Sequence, residues 1–362
     1  MLTSIRADDP VVFISAFKSG VEGAIHAYRF DLENGRLKPL HRTTDIESPF
    51  FLSIAPDGKF LYAIDADQFG GDDNEFVAAY GVDGRSGKLN RLNRKSARGT
   101  ASCYLDVDAT GKTIVVANYS TGSVAALPVQ DDGSLGPATA FVQHSGSSVD
   151  PGRQTGPYAH SIVISPDNRF ALAADLGIDK ILIYRLDSTT AKLTQNDAQP
   201  FATLSPGSGP RHLTFHPNGK RVYVINELLN TVTFFDYANE TGVLTRRQDI
   251  ATLPADFSGI SHTADLKITP DGKFLYGTNR GHDSIVIYHI ADDGRLSLVS
   301  IEPSLGKGPQ NLLITPDGRW LLCANMPGNN VAVFAIDTHT GGLTASGDPA
   351  QIPMPSCIRW LK

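Results

Sequence analysis

Cysteine is scarce in this 362-residue chain. Cys103, Cys323 and Cys357 are scattered, odd in number and outside any C-x-x-C spacing, so neither a disulfide framework nor a thiolate zinc site is supported. No run of about 18 apolar residues occurs, which rules out a membrane-spanning helix. Basic clusters are missing too: 32 Lys and Arg face 38 Asp and Glu, for a formal charge of −6, and the electrostatic footprint of a nucleic-acid binder is absent. No window keeps apolar residues at i, i+3, i+4 and i+7 through three turns, so helices are not expected. Also lacking are a glycine-rich phosphate loop ahead of a helix, a G-x-S-x-G elbow and an H-E-x-x-H pair. Arg6, Asp8 and Asp9 stand where a secretory signal would carry its apolar stretch, and a cytoplasmic protein is the expectation.

What the chain has instead is glycine, proline and repetition. There are 34 Gly and 22 Pro in a sequence that is 41% hydrophobic and only 19% charged, a balance that suggests many turns rather than disorder. One phrase recurs six times, as in SPFFLSIAPDGKFLYAID, PRHLTFHPNGKRVYVIN and TADLKITPDGKFLYGTN, with its turn triplet opening at Pro56, Ala109, Pro166, Pro217, Pro270 and Pro316. Separations of 46 to 57 residues are close to the period of propeller blades. Four residues ahead of each turn stand Leu52, Leu105, Ile162, Leu213, Leu266 and Leu312, and two ahead stand Ile54, Val107, Ile164, Phe215, Ile268 and Ile314. That alternation belongs to half-buried strands. Each unit then adds a second, a third and a weaker fourth strand, which makes a four-stranded antiparallel blade.

The ends of the chain supply a seventh blade. SCIRWLK puts Ile358 and Trp360 in the two apolar columns, and VVFISAF, AIHAYRFD and RLKPLHRT provide the remaining strands. The expected architecture is an all-β, seven-bladed propeller forming one domain over residues 1–362. A blade shared between the two termini would close the ring and remove exposed sheet edges.

In a blade hairpin, the start of the first strand and the end of the second lie at the same end, so these two columns line one mouth of the central channel. The second-strand column reads Asp65, Asn118, Asp175, Asn226, Asn279 and Asn325. Asx side chains at such places hydrogen-bond the local backbone, which is the role expected for most of them, although they also present a polar rim. Residues that break the repeat are more informative: His160, Arg211, His212, Glu227 and Arg280 come from three consecutive blades, with His262 and Asp265 close by. Two arginines suit capture of a carboxylate or phosphate, and a His beside a Glu can move protons near neutral pH. His160, Glu227, Arg211 and Arg280 are therefore the catalytic candidates. His212, His262, Asp265, Asn226, Asn279 and Asn311 are the substrate-binding ones. The histidines sit on different blades without local ligand spacing, so no metal and no cofactor is expected. Two glycine-rich stretches, residues 66–75 and 144–158, read as long rim loops, and the second leads directly to His160.

At GPRHLTFHPNGKRVYVINEL, AHSIVISPDN and ADLKITPDGKFLY followed by NRG, the chain resembles the lactonase family of seven-bladed propellers. That family includes bacterial propeller-type 6-phosphogluconolactonases and the fungal carboxy-cis,cis-muconate cyclizing enzyme, and the resemblance runs from VVFISAF to CIRWL. Its proposed cleft residues match His160, Arg211, Glu227 and Arg280 here. One departure is the PYAHS lead-in to His160, longer than the C-H-S-like form of some relatives. The resemblance implies hydrolysis of a small anionic sugar lactone, 6-phospho-D-glucono-1,5-lactone of the oxidative pentose phosphate route, by a monomer or weak homo-oligomer. Arg211 and Arg280 would hold the phosphate or polarise the ester, Glu227 or His160 would activate water, and His160 would protonate the leaving alkoxide. A carboxymuconate-type cycloisomerase needs the same anion clamp and acid–base pair, and a non-enzymatic binding propeller is the third reading.

Overall fold

Each of the six turn triplets closes an antiparallel hairpin in the computed structural model, which describes residues 9–361. Arg6 and Asp8, two of the residues that argued against an export signal, lie outside the described residues. At the Pro56 turn the Gly58 N–H donates to Ala55 O at 2.9 Å with Gly58 at φ 71°, a left-handed conformation that glycine adopts without steric cost. Where the repeat has Asn168 in place of that glycine, the backbone keeps φ at 61°, since Asn is among the residues that tolerate it best.

Seven sheets result. Their innermost strands are Leu52–Ile54, Ser102–Val107, Ala159–Ile164, Pro210–Phe215, His262–Ile268, Pro309–Ile314 and Pro355–Trp360, and these touch one another in a closed cycle. In the seventh sheet Pro355–Trp360 pairs antiparallel with Val11–Ala16, Ile358 opposite Ile14 and Trp360 opposite Val12, while Ala24–Asp31 and Arg36–Thr43 complete the blade. The ring is closed by a blade built from both ends of the described chain. In two blades the fourth position is filled by two short pieces. Lys192–Gln195 and Phe201–Thr203 both pair with Lys180–Asp187, and Leu343–Ala345 and Ala350–Gln351 both pair with Asn330–Ile336. Helix among the described residues is limited to two three-residue 3₁₀ turns, Gly20–Glu22 and Leu176–Ile178.

The six apolar residues four ahead of each turn are all buried. Ile162 packs with Val115 and Ala117 of the preceding blade, while Val163 turns to the cluster of the following one. Burial on both faces is what lets the sheets stack radially. Each such aliphatic side chain is worth roughly 1.5–3 kcal/mol. Blades are also tied by hydroxyls: Tyr62, Tyr223 and Tyr276 share one repeat column and donate to Gly133 O, Gly294 O and Gly341 O of the next blade. The solvent-facing fourth strands are polar, as in KLNRLNRKS, which discourages edge-to-edge pairing.

One irregularity recurs at the mouth. Pairing skips Cys103, His160, Arg211 and Gln310, so in each of four blades the first-strand residue at this column is a β-bulge. In the Thr263–Leu266 blade the same shift spans Ala264 and Asp265. A bulge inserts one residue and re-aims its side chain, and His160, Arg211 and Asp265 are among the residues so placed.

Candidate active site

Glu227 is the centre of the site. It follows Asn226 at the end of Arg221–Asn226 and is almost wholly buried. Oε2 lies 3.1 Å from Arg211 Nε, 2.8 Å from Arg280 Nη2 and 4.0 Å from His160 Nε2, and Oε1 lies 2.7 Å from Arg153 Nη2. Burial alone would raise the carboxyl's pKa, but Arg280 and Arg211, joined by His160 and Arg153, outweigh it and hold Glu227 ionised well below the usual carboxylate range.

The guanidiniums differ in how they are held. Arg211, the bulge residue of Pro210–Phe215, has a side chain 1% exposed; its Nη1 donates to Ala264 O at 2.6 Å and to His212 Nε2 at 3.2 Å. Its Nε faces Glu227 at ion-pair distance without an aligned hydrogen bond. Burial, then Arg280, lowers its pKa to about 10, which leaves it cationic at neutral pH. Arg280, 26% exposed, also donates to the backbone carbonyls of His262 and Thr263 and to Gln310 Oε1. Arg153 reaches in from the 144–158 loop.

Two imidazoles adjoin the cluster, their rings 5.5 Å apart and near perpendicular. Burial, then Arg211, pushes His160 well below 6.5, so it is a neutral base. Its Nδ1 is 3.6 Å from Cys103 Sγ and its ring lies edge-on to Tyr119, which leaves Nε2 towards Glu227. His212 is driven down to about 3 by burial, then Arg211. An arginine only donates, so His212 Nε2 is the acceptor from Arg211 and Nδ1–H donates to Asp265 Oδ1 at 2.9 Å. Asp265 also accepts from Asn311 Nδ2, from Leu312 N and, through both oxygens, from Lys267 Nζ. Burial opposes ionisation of Asp265, but Lys267 and His212 overcome it and hold the carboxyl far below its ordinary value.

Three of the four catalytic candidates, Arg211, Arg280 and His160, therefore converge on the fourth, Glu227. The six expected substrate contacts are placed differently. His212 and Asp265 form a buried support behind Arg211 rather than a surface on the opening. Asn226 donates to Thr231 and Thr233, Asn279 to Thr252 O and Ser284, and Asn311 spans Asp265 and the Ile358 N–H. All three are fully buried, and their amides brace neighbouring strands, the structural role that Asx residues have in such columns. His262 is half-buried and contributes its backbone oxygen to Arg280. Three neighbours were not among the candidates. Tyr119 occupies the same column as Glu227 and Arg280, and Gln310 that of His160 and Arg211, so both were within reach of the repeat. Arg153 lies outside every column. The other rim loop, 66–75, forms a separate cleft of about 640 Å³ lined by Asp67, Asp72, Asp73 and Glu75. Among the described residues no three His, Cys, Asp or Glu side chains converge as metal ligands.

Residues 11–360 match the family described as lactonase, seven-bladed beta-propeller. A 6-phosphogluconolactonase of Bacillus subtilis is 32% identical over 351 residues, covering 96% of this chain and 97% of the relative. A solved structure from Bacteroides fragilis is 34% identical with a TM-score of 0.91, covering 99% of this chain and all of that one. The periplasmic gluconolactonase of Pseudomonas aeruginosa is 32% identical with a TM-score of 0.90, covering 98% of this chain and 99% of that one.

Proposed function

Because this chain belongs to the seven-bladed β-propeller lactonase family, we propose that the arginine-clamped Glu227 and the neutral His160 beside it are the machinery of a lactone hydrolase, with 6-phospho-D-glucono-1,5-lactone as substrate. The protein is a carboxylic-ester hydrolase. The relatives reported above are named lactonases, and the cycloisomerase and binding-module readings are not favoured. A phosphorylated sugar does not cross a membrane unaided, which fits a cytoplasmic setting in the pentose phosphate route.

His160 is the general base. It is uncharged at neutral pH with Nε2 turned to the Glu227 side, whereas both oxygens of Glu227 are engaged by arginines. Nε2 of His160 takes a proton from water as the water oxygen bonds to the lactone carbonyl carbon. The carbonyl electrons move to oxygen, and the oxyanion is met by Arg280, the more accessible guanidinium beside Arg211. When the tetrahedral centre collapses, the ring C–O bond breaks and the leaving alkoxide takes the proton from His160. Glu227 fixes the arginines and stabilises the transient imidazolium 4.0 Å away. Asp265 and His212 hold Arg211 from behind.

The observation that carries this reading is the convergence of Arg211, Arg280 and His160 on one buried carboxylate at a bulged mouth. Hydrolysis of the lactone, corrected for the spontaneous rate, tests it. His160→Asn should lose about 10²–10⁴-fold in kcat, the range of general-base contributions. Unchanged catalysis in both Arg211→Ala and Glu227→Gln would remove the assignment.

A further inference from the structure

Three guanidiniums face one carboxylate. Arg211 and Arg280 approach Oε2 of Glu227 and Arg153 approaches Oε1, while His160 and His212 are both uncharged. Neighbouring carboxylates do not balance the excess. Asp265 is taken by Lys267, His212 and Asn311, and Glu75 by the backbone N–H groups of Gly70, Ala101 and Ser102. The cluster thus carries a surplus of two positive charges, the complement of a phosphate monoester dianion.

Arg153 is the cation placed to supply that recognition. Arg211 and Arg280 are fixed by backbone carbonyls, but beyond Glu227 the Arg153 guanidinium touches the Tyr119 hydroxyl, at 3.3 Å, and its side chain is 36% exposed. The backbone beneath it is firmly set. The adjoining Gln154 is fully buried and donates to Leu176 O and Asp179 Oδ1, both at 2.8 Å. At the base of the loop His144 Nδ1 donates to Asp175 Oδ2 at 2.6 Å and accepts from the Tyr184 hydroxyl at Nε2. A cation held by side chains rather than by backbone carbonyls therefore stands on a firmly set loop at the edge of the opening.

We propose that Arg153 is the specificity-determining residue of this site: it exchanges Oε1 of Glu227 for the dianionic phosphate of the substrate, and the freed Oε1 then orients the water attacking the lactone carbonyl. This rests on the lactone-hydrolase reading and adds to it. Glu227 serves as the resident anion that the substrate phosphate replaces at Arg153. An unphosphorylated lactone leaves Arg153 on Oε1, so the phosphate acts on kcat as well as on KM.

The test uses the full chain as wild type, Arg153→Gln and Arg153→Lys, with 6-phospho-D-glucono-1,5-lactone and D-glucono-1,5-lactone assayed side by side above their spontaneous rates. Wild type should favour the phosphorylated lactone by about a hundredfold in kcat/KM, and Arg153→Gln should cut that ratio at least tenfold with a fall in kcat. Arg153→Lys, which keeps a cation without the forked geometry, should recover part of the ratio. Phosphite dianion added to the unphosphorylated lactone should accelerate wild type but not Arg153→Gln. An unchanged ratio in Arg153→Gln overturns the proposal, as does equal turnover of the two lactones by wild type, and in either case the lactone-hydrolase reading stands. If wild type hydrolyses neither lactone, that reading falls as well.

Discussion

Replacing Glu227 by Gln isolates the charge at the centre of the site while keeping its shape. The effect on folding can be worked out from the three guanidiniums separately. Arg211 is 1% exposed and would be left as a buried cation with neutral partners, a situation that costs about 3–5 kcal/mol. Arg280 and Arg153, 26% and 36% exposed, can recover hydration, so each adds at most about 1 kcal/mol. The expected loss in unfolding free energy is about 3–7 kcal/mol. For chains of 150–250 residues 1 kcal/mol moves Tm by roughly 2–4 °C, and by less for longer ones, so a fall on the order of 5–10 °C follows. Urea and thermal unfolding measure it. A second reading comes from inorganic phosphate, which should stabilise Glu227→Gln more than wild type because three uncompensated cations attract it. At about ten times its dissociation constant, it should return about 1.4 kcal/mol. A variant within about 1 kcal/mol of wild type and indifferent to phosphate would refute the charge accounting.

Asp265→Asn should weaken both folding and turnover, because it removes the carboxylate that fixes His212 and, through it, Arg211; a loss confined to stability would show that the support does not reach the reacting groups. Acid should destabilise the protein in a defined window. The unfolded chain protonates the His212 imidazole below about pH 6.5, while the folded one resists to about 3, so this contribution is complete above pH 6.5 and declines at about 1.4 kcal/mol per pH unit as pH falls towards 3. His212→Asn should flatten the slope of unfolding free energy against pH by one proton. Gly177→Ala would set a Cβ 1.9 Å from Gly156 O and 2.7 Å from Tyr158 Cδ2; the displaced 144–158 loop should lower discrimination for phosphorylated lactone, and an unaltered ratio would separate that loop from specificity. Cys103, Cys323 and Cys357 are buried, and burial pushes all three thiols up, so a thiol reagent should label none in the native state and three after denaturation.

The ring was legible because a propeller writes its architecture in columns. Leu213 and Phe215 ahead of a turn and Val222 and Val224 after it specify a hairpin, and repetition at near-constant spacing specifies the rest. The second column of the hairpins also separated what is shared, Asn226 and Asn279, from what is singular, Glu227 and Arg280. Less visible was which way each side chain turns. A bulge at Arg211 or His160 depends on pairing with the neighbouring strand, and no residue type in one strand announces it. His212 illustrates the consequence: one position beyond the bulge, it points behind Arg211 instead of into the opening. Arg153 was unreadable for a different cause. It lies in an aperiodic loop whose course is set by Gln154, Asp179 and His144 rather than by a repeat.

The way the ring is joined has a consequence for when the protein becomes competent. Pro355–Trp360 occupies the innermost place of a blade begun by Val11–Ala16, and the Ile358 N–H donates to Asn311, which in turn holds Asp265. The support beneath Arg211 is thus stitched to the strand that closes the ring. A chain carrying every one of the reacting side chains would stay chemically silent until that closing strand slides home, which makes turnover itself a report of ring closure.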